Sequence, residues 1–300
     1  MSGEVDFRQG RPGDLRAAFA LCAGERDESE VEASWKLERP LFEFLAAQEG
    51  GCFWIAEEDG RMVGFARVVR FGRLEQLTEV SVAPERRGRG IGRGLLGRCW
   101  PNPPSRELGR LAVASGVGQD LSLNLGFGVM PATGHWRLAQ PTDRYIERRS
   151  RESLDTAEAA VHVLKPDRAV AQWQRLEPLA IGHERPLLHE FFGRERICLA
   201  SLDEDGRANA VCWVGTPGYI GPGVAAQPGG LVPVVLAALD RVAKTEEPHQ
   251  LNLLCTTDSW WLLRRLRSLG FRVSRPSWIL CSEPLPGLDR YLPTRPAHVL

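Results

Sequence analysis

The strongest constraint on this chain is that it is written twice. The stretch ERPLFEFLA starts at Glu38 and ERPLLHEFF at Glu184, 146 positions later. The turn Asp59-Gly60-Arg61 in FWIAEEDGRMVGFARV returns at the same distance as Asp205-Gly206-Arg207 in CLASLDEDGRANAVCWV. Pro84 and the pair Gly126-Phe127 recur 144 positions on, at Pro228 and Gly270-Phe271. Four anchors in one order, drifting by two residues, mark a duplicated unit, so one supersecondary pattern must be built twice.

Each copy reads alike. A short strand (Val5–Arg8; Val161–Leu164) leads to helices with apolar three-four spacing, around Leu15–Ala23 and Trp35–Ala47 in the first copy. A hairpin with an Asp-Gly turn follows. Then come a longer strand (Leu77–Val82; Tyr219–Ala225), a helix, another strand (Leu108–Val113; Leu251–Cys255), a helix ending at Gly-Phe, and closing strands. The expected class is α/β (α+β): two tandem domains, each a mixed, mostly antiparallel sheet flanked by helices, with one parallel strand–helix–strand crossover. The polar run PTDRYIERRSRESLDTAE separates the copies, which sets domains at 1–142 and 159–300 around a linker at 143–158.

Composition narrows the function classes. A formal net charge of +0 argues against a general nucleic-acid or anionic-membrane binder. No apolar stretch is long enough for a membrane span, and the polar start MSGEVDFRQG lacks the apolar centre of a signal peptide. The seven cysteines are odd in number and contain no C-x-x-C pair, so Cys52, Cys198, Cys212 and Cys255 are expected as small buried hydrophobes in a reduced, cytoplasmic setting. The six histidines have no metal-ligand spacing, and no metal is expected. His183 and His189 are placed at a helix start and on a helix face, with no partner visible. Trp260, Trp261 and Trp278 are expected in core packing, with an acceptor pocket as the alternative.

Chemistry concentrates in PERRGRGIGRGLL, from Pro84 to Leu96, between the long strand and the next helix. A helix N-terminus offers unpaired N–H groups and partial positive charge. Glycines expose backbone and allow positive φ, so successive amides can converge on an anion, and arginine forks add charge-assisted bonds. Gly88, Gly90 and Gly92 alternate with Arg87, Arg89 and Arg93, as a diphosphate cradle requires. Neither the dinucleotide fingerprint G-x-G-x-x-G nor a P-loop Gly-Lys-Ser/Thr is present.

Arg87-x-x-Gly90-x-Gly92, preceded by VSVAPE and followed by RGLLGRCW, resembles the acetyl-CoA signature of the GNAT N-acetyltransferases, and Gly126-Phe127 falls where those domains end a helix. The resemblance implies that Arg87, Gly88, Arg89, Gly90, Ile91, Gly92 and Arg93 bind the pyrophosphate of acetyl-CoA, that the Val82 backbone bonds the pantetheine arm, and that Ser115 stands at the family's CoA-contacting asparagine. It implies an N-acetyltransferase acting on a primary amine of a small molecule by direct attack, with acetyl-CoA as co-substrate. Glu79 in LTEVSVAP is the candidate base, its pKa raised by burial; a solvent-facing strand glutamate is the alternative. Strand N–H groups near Val82 could stabilise the oxyanion, a donor worth about 3–4 kcal/mol.

The chain departs from the family at the acid. Ser122 stands four residues before Gly126, where the family has a tyrosine, and no tyrosine precedes Tyr145. Ser122 and Asp120 are the remaining candidates. This departure supports the competing reading, an acyl-CoA-binding regulatory or scaffold protein that has lost catalysis. In the second copy a 144-residue offset puts Leu231, Val234 and Leu236 at Arg87, Gly90 and Gly92, and Leu266 at Ser122, so that copy is expected to have lost CoA binding. Its role is left between completing the acceptor site, stabilising the fold and forming a homodimer.

Overall fold

The structure, a computed structural model, describes residues 4–24, 26–101, 107–115, 119–152 and 160–294. Its contacts divide the chain into two compact units, residues 1–112 with 117–130 and residues 113–116 with 131–300.

In the first unit the order is β1 (Asp6–Gln9), α1 (Leu15–Ala23), α2 (Glu28–Ala46), β2 (Cys52–Glu58), β3 (Arg61–Phe71), β4 (Leu74–Val82), α3 (Ile91–Cys99), β5 (Gly109–Ser115) and α4 (Gln119–Leu125). Strands β1 to β4 pair antiparallel in sequence order, and β4 pairs parallel with β5. The hairpin turn works as its sequence dictates. Asp59 and Gly60 both take positive φ, 51° and 74°, the backbone that matches the twist of the flanking strands. Helix α2 begins earlier than its apolar spacing suggests, because its first turn is acidic rather than apolar and Asp27 caps it by accepting from the Glu30 N–H at 2.8 Å. Val31, Trp35 and Phe42 of α2 pack against Leu15, Ala18 and Phe19 of α1, with Phe19 5.2 Å from Trp35 and 5.7 Å from Phe42 between ring centres.

The second unit contains β6 (Met130–Pro141), α5 (Thr142–Glu152), β7 (Val161–Leu164), α6 (Pro166–Leu176), α7 (Pro178–Ile181), α8 (Pro186–Glu195), β8 (Arg196–Leu202), β9 (Ala208–Gly215), β10 (Tyr219–Ala225), α9 (Leu231–Thr245), β11 (Gln250–Thr256), α10 (Trp260–Ser268), β12 (Arg272–Cys281) and β13 (Tyr291–Leu292). Strands β7, β8, β9, β10 and β13 form an antiparallel sheet, and β6 runs antiparallel to β11 from Pro141↔Gln250 to His135↔Thr256. Both sheets are therefore mostly antiparallel with helices packed on them, as the class requires. The first copy closes with β6 among the described residues, and the second with β12 and the short β13, so the plural closing strands expected from the sequence are met only in the second. The first copy's closing strand belongs to the second unit, paired there along its second half with the second copy's β11. Helix α5 occupies the start of the polar run between the copies.

Two sequence expectations are corrected in this unit. His189 has partners: its Nδ1 accepts from Trp213 Nε1 at 3.1 Å, which leaves the ring proton on Nε2, 2.9 Å from Glu177 Oε1. Glu177 also pairs with Arg185 at 2.7 Å, and Arg185 donates to the Tyr291 hydroxyl at 2.7 Å, all four side chains being fully buried. Trp260, Trp261 and Trp278 are not core residues; they are 64%, 56% and 38% exposed. The cysteines are free; Cys198, Cys212 and Cys255 are buried and Cys52 is half-buried.

Candidate active site

The site grows out of an irregularity in β4. Arg67 of β3 stands opposite Glu79, but the next register pair is Val68 with Leu77, so Thr78 is an extra residue, a bulge in β4. On the other edge, β4 pairs with β5 only from Leu74↔Gly109 to Leu77↔Ala112. From Thr78 to Val82, β4 therefore has no register partner on that edge among the described residues. Val80, Ser81 and Val82 are only half-buried. Backbone groups at an unpaired strand edge are strong, waiting hydrogen-bond partners for an extended ligand.

Beyond Val82 the chain makes a short turn at Pro84–Arg86 and enters α3 through the glycines. Gly88 and Gly90 hold φ of 77° and 80°. A β-carbon at either would meet nothing within 4 Å, so the turn is bare on its outer side. Gly90 is the N-cap of α3 and no side chain caps the helix, whose first amides have no acceptor within the helix itself. The seat of α3 is set by Gly64 of β3, where a β-carbon would crowd Leu95 at 3.1 Å and Ile91 at 3.2 Å.

The predicted cradle residues separate into groups. Arg89 is paired with Glu58 at 3.1 Å, and Arg86 pairs with the same buried carboxylate. The Arg86 guanidinium holds the Glu58 carboxyl below the usual carboxylate range. Arg89 thus braces the loop, and its charge is already met. Arg87 and Arg93 are exposed with no carboxylate at ion-pair distance among the described residues; Arg87 Nε donates to the Val82 carbonyl at 3.2 Å. That bond ties loop to strand and occupies one lone pair of the carbonyl assigned to the pantetheine arm. Ile91 buries its side chain, leaving only its backbone to face an anion. A β-carbon on Gly92 would stand 3.5 Å from Leu123, which places α4 beside the start of α3. Ser122, next to Leu123, is exposed. Ser115 ends β5 within the second unit, and its side chain lies outside the described residues.

Glu79 is buried, and its carboxylate is paired rather than alone. Arg67 Nε donates to its Oε2 at 2.8 Å, Arg67 Nη2 pairs with Oε1, and the Thr78 hydroxyl donates to Oε2. Arg67 also donates to the Phe42 carbonyl at 2.7 Å, and its guanidinium lies 3.9 Å over the Phe42 ring. Arg67 and Glu58 are the site residues sequence reading missed. The only signal for Arg67 was its place opposite Glu79 in the hairpin, two residues of opposite charge across one rung.

An open strand edge, a bare glycine turn and an uncapped helix N-terminus meet in that order along one segment, an arrangement suited to an extended ligand with an anionic tail. Residues 49–117 match the family described as acetyltransferase (GNAT) domain. No curated protein matches the chain in sequence. Among solved structures, a Pyrococcus horikoshii protein classed as an acetyltransferase matches with a TM-score of 0.70 at 16% identity, covering 96% of this chain and 92% of that one. A tandem GNAT protein from the clavulanic acid biosynthesis pathway matches at 0.60 and 17%, covering 94% and 99%. A GCN5-related N-acetyltransferase from Sphaerobacter thermophilus matches at 0.55 and 17%, covering 95% and 97%. The chain shares its fold with these GNAT structures over nearly its whole length, residues 49–117 match the GNAT domain family, and the second copy lacks the arginine–glycine motif.

Proposed function

We propose that the chain transfers an acetyl group from acetyl-CoA to the primary amine of a small molecule by direct attack, using a single CoA site in the first copy. In this reading residues 1–142 are the catalytic copy, 143–158 the connection and 159–300 the degenerate copy, and the protein works in the cytoplasm. The observation that carries it is the run from the Thr78 bulge to the N-terminus of α3: an open edge long enough for a pantetheine arm, followed at once by a bare turn suited to a diphosphate. When bound, acetyl-CoA supplies an activated thioester whose thiolate is a good leaving group.

The chain's residues divide the work as follows. The amides of Gly88 to Arg93 and the α3 N-terminus hold the diphosphate, with Arg87 and Arg93 supplying the unmet positive charge. The edge of β4 up to Val82 orients the arm, and its N–H groups bond the acetyl oxygen as negative charge develops there. Glu79 fixes the bulge through Arg67. The amine attacks in its deprotonated form. Ser122 is the side chain through which water can reach the departing sulfur.

The test is thiol release from acetyl-CoA over a panel of small amines. Release with at least one primary amine, rising with pH until that amine's own pKa, supports the proposal. Tight acetyl-CoA binding with no release across the panel would instead support the acyl-CoA-binding scaffold. Direct attack is checked by mass spectrometry without amine, where an acetylated enzyme, for instance at the exposed Cys22, would refute it.

A further inference from the structure

The second unit carries a cavity that the acetyl-transfer reading does not use. It has a volume of about 360 Å³ and lies between α10, β6 and the start of β12. Helix α10 presents two stripes. Leu262, with Leu269 just beyond the helix, is buried in the core, and the equally buried Leu266 reaches the cavity floor from that side. Trp260, Leu263, Arg264 and Arg267 follow the i, i+3, i+4, i+7 spacing of a single helix face and line the cavity. Trp136 and Leu138, two apart on β6 and so on one face of the strand, line it from the sheet.

Three observations mark a binding site rather than a packing flaw. The size falls in the range of small-molecule pockets, roughly 300–1,000 Å³, whose walls are mostly apolar with a few placed polar groups. Trp260 is 64% exposed and Val273 45%, so apolar surface at the lining remains uncovered. The only charged lining residues are Arg264 and Arg267, and no carboxylate reaches ion-pair distance of either among the described residues. Three residues apart on a helix, they are neighbours that can grip one head group together.

We infer that this cavity binds an apolar molecule carrying one oxyanion head, a carboxylate or a phosphate monoester, with the tail between Trp136, Trp260 and Leu263 and the head on Arg264 and Arg267. No residue of the arginine–glycine loop takes part, so the inference stands or falls apart from the acetyl-CoA reading.

The test titrates dissolved decanoate, decyl phosphate, decanol and decyltrimethylammonium into the full chain by calorimetry. The expected result is one site per chain for decanoate or decyl phosphate, the tighter of the two naming the head. Decanol should bind about tenfold more weakly or worse, and the ammonium compound not at all. Two exposed substitutions, Arg264→Glu with Arg267→Glu, should weaken the anion about tenfold or more while leaving acetyl-CoA binding intact. Leu263→Trp, which fills the cavity, should abolish it. Decanol binding as tightly as decanoate, anion binding that survives Leu263→Trp, or no binding by millimolar concentration would each overturn the inference. Pelleting of the chain with anionic vesicles, without binding of dissolved decanoate, would overturn it in favour of a membrane-surface patch.

Discussion

The crossover from strand to helix is built twice in this molecule, and the two versions differ at every point a CoA site needs. In the first unit eight residues, 83–90, link β4 to α3; in the second, five residues, 226–230, link β10 to α9. The first link carries three arginines and bare glycines. The second reads AQPGG, without a charge. Nothing lies within 4 Å of a β-carbon on Gly88 or Gly90, whereas one on Gly229 would meet Trp261 at 3.4 Å and one on Gly230 would meet Ala225 at 3.0 Å. The edges differ as well. The end of β4 has no register partner on its outer side among the described residues, while β10 is paired there with β13 through Gly223↔Leu292 and Val224↔Tyr291. In the second copy the chain itself covers the turn and the strand edge that the first copy leaves bare. Leu231 and Val234 of α9 show the result, both essentially inaccessible to solvent.

That comparison can be broken most directly at the two helix caps. Gly90→Glu puts a side chain and a negative charge into a left-handed, bare position and should weaken acetyl-CoA binding about a thousandfold, roughly 4 kcal/mol. Gly230→Glu, at the equivalent cap, should leave acetyl-CoA affinity unchanged and lower only stability. Equal losses in the two variants would mean that both turns bind the cofactor.

The next largest effect concerns what holds the open edge open. Glu79→Gln leaves the Arg67 guanidinium buried without its counter-charge and should cost about 3–5 kcal/mol of stability. Arg67→Met combined with Glu79→Met should recover most of it. Thermal unfolding checks both. A Glu79→Gln enzyme of normal stability that loses the rising limb of its pH–rate profile would instead make Glu79 the base.

A pH experiment separates the units by their buried groups. All six histidines belong to the second unit. Burial pushes His135 down to about 4 and lowers His189 too. Burial raises the Glu177 carboxyl, but Arg185 and His189 outweigh it and hold it at about 2. A folded pKa below the unfolded one means that the unfolded chain binds more protons as pH falls. The histidine contribution is therefore full above about pH 6.5 and lost towards 4, on the order of 3 kcal/mol for His135 alone. The Glu177 contribution goes only below the ordinary carboxylate range. Unfolding of the second unit should shift down between pH 6.5 and 4, and His135→Asn should flatten that shift. The smallest effect is expected at Ser122, exposed on α4: Ser122→Ala should change kcat less than about threefold, and a loss of a hundredfold would make it the acid.

What the sequence made legible was local. The Asp-Gly turns, the strands at Tyr219–Ala225 and Leu77–Val82 and the helix Leu15–Ala23 follow from turn chemistry and apolar spacing within a few residues. The glycine turn was legible because positive φ and bare backbone are properties of glycine itself. Partner choice was not. That β6 pairs with β11, that β13 seals β10, and that Glu58 draws in Arg86 and Arg89 are decided by segments tens to hundreds of residues apart. The repeat offset misled for a related reason. Held at 144 it set Val234 against Gly90, but the helices start at Ile91 and Leu231, and the shorter second link places Gly230 there.

The central claim is one open site and one sealed site in each chain. Calorimetric titration of the unmodified protein with acetyl-CoA measures this as a stoichiometry. One site per chain, absent in Gly90→Glu and present in Gly230→Glu, is the predicted result. Two sites, or one site that survives Gly90→Glu, would contradict it.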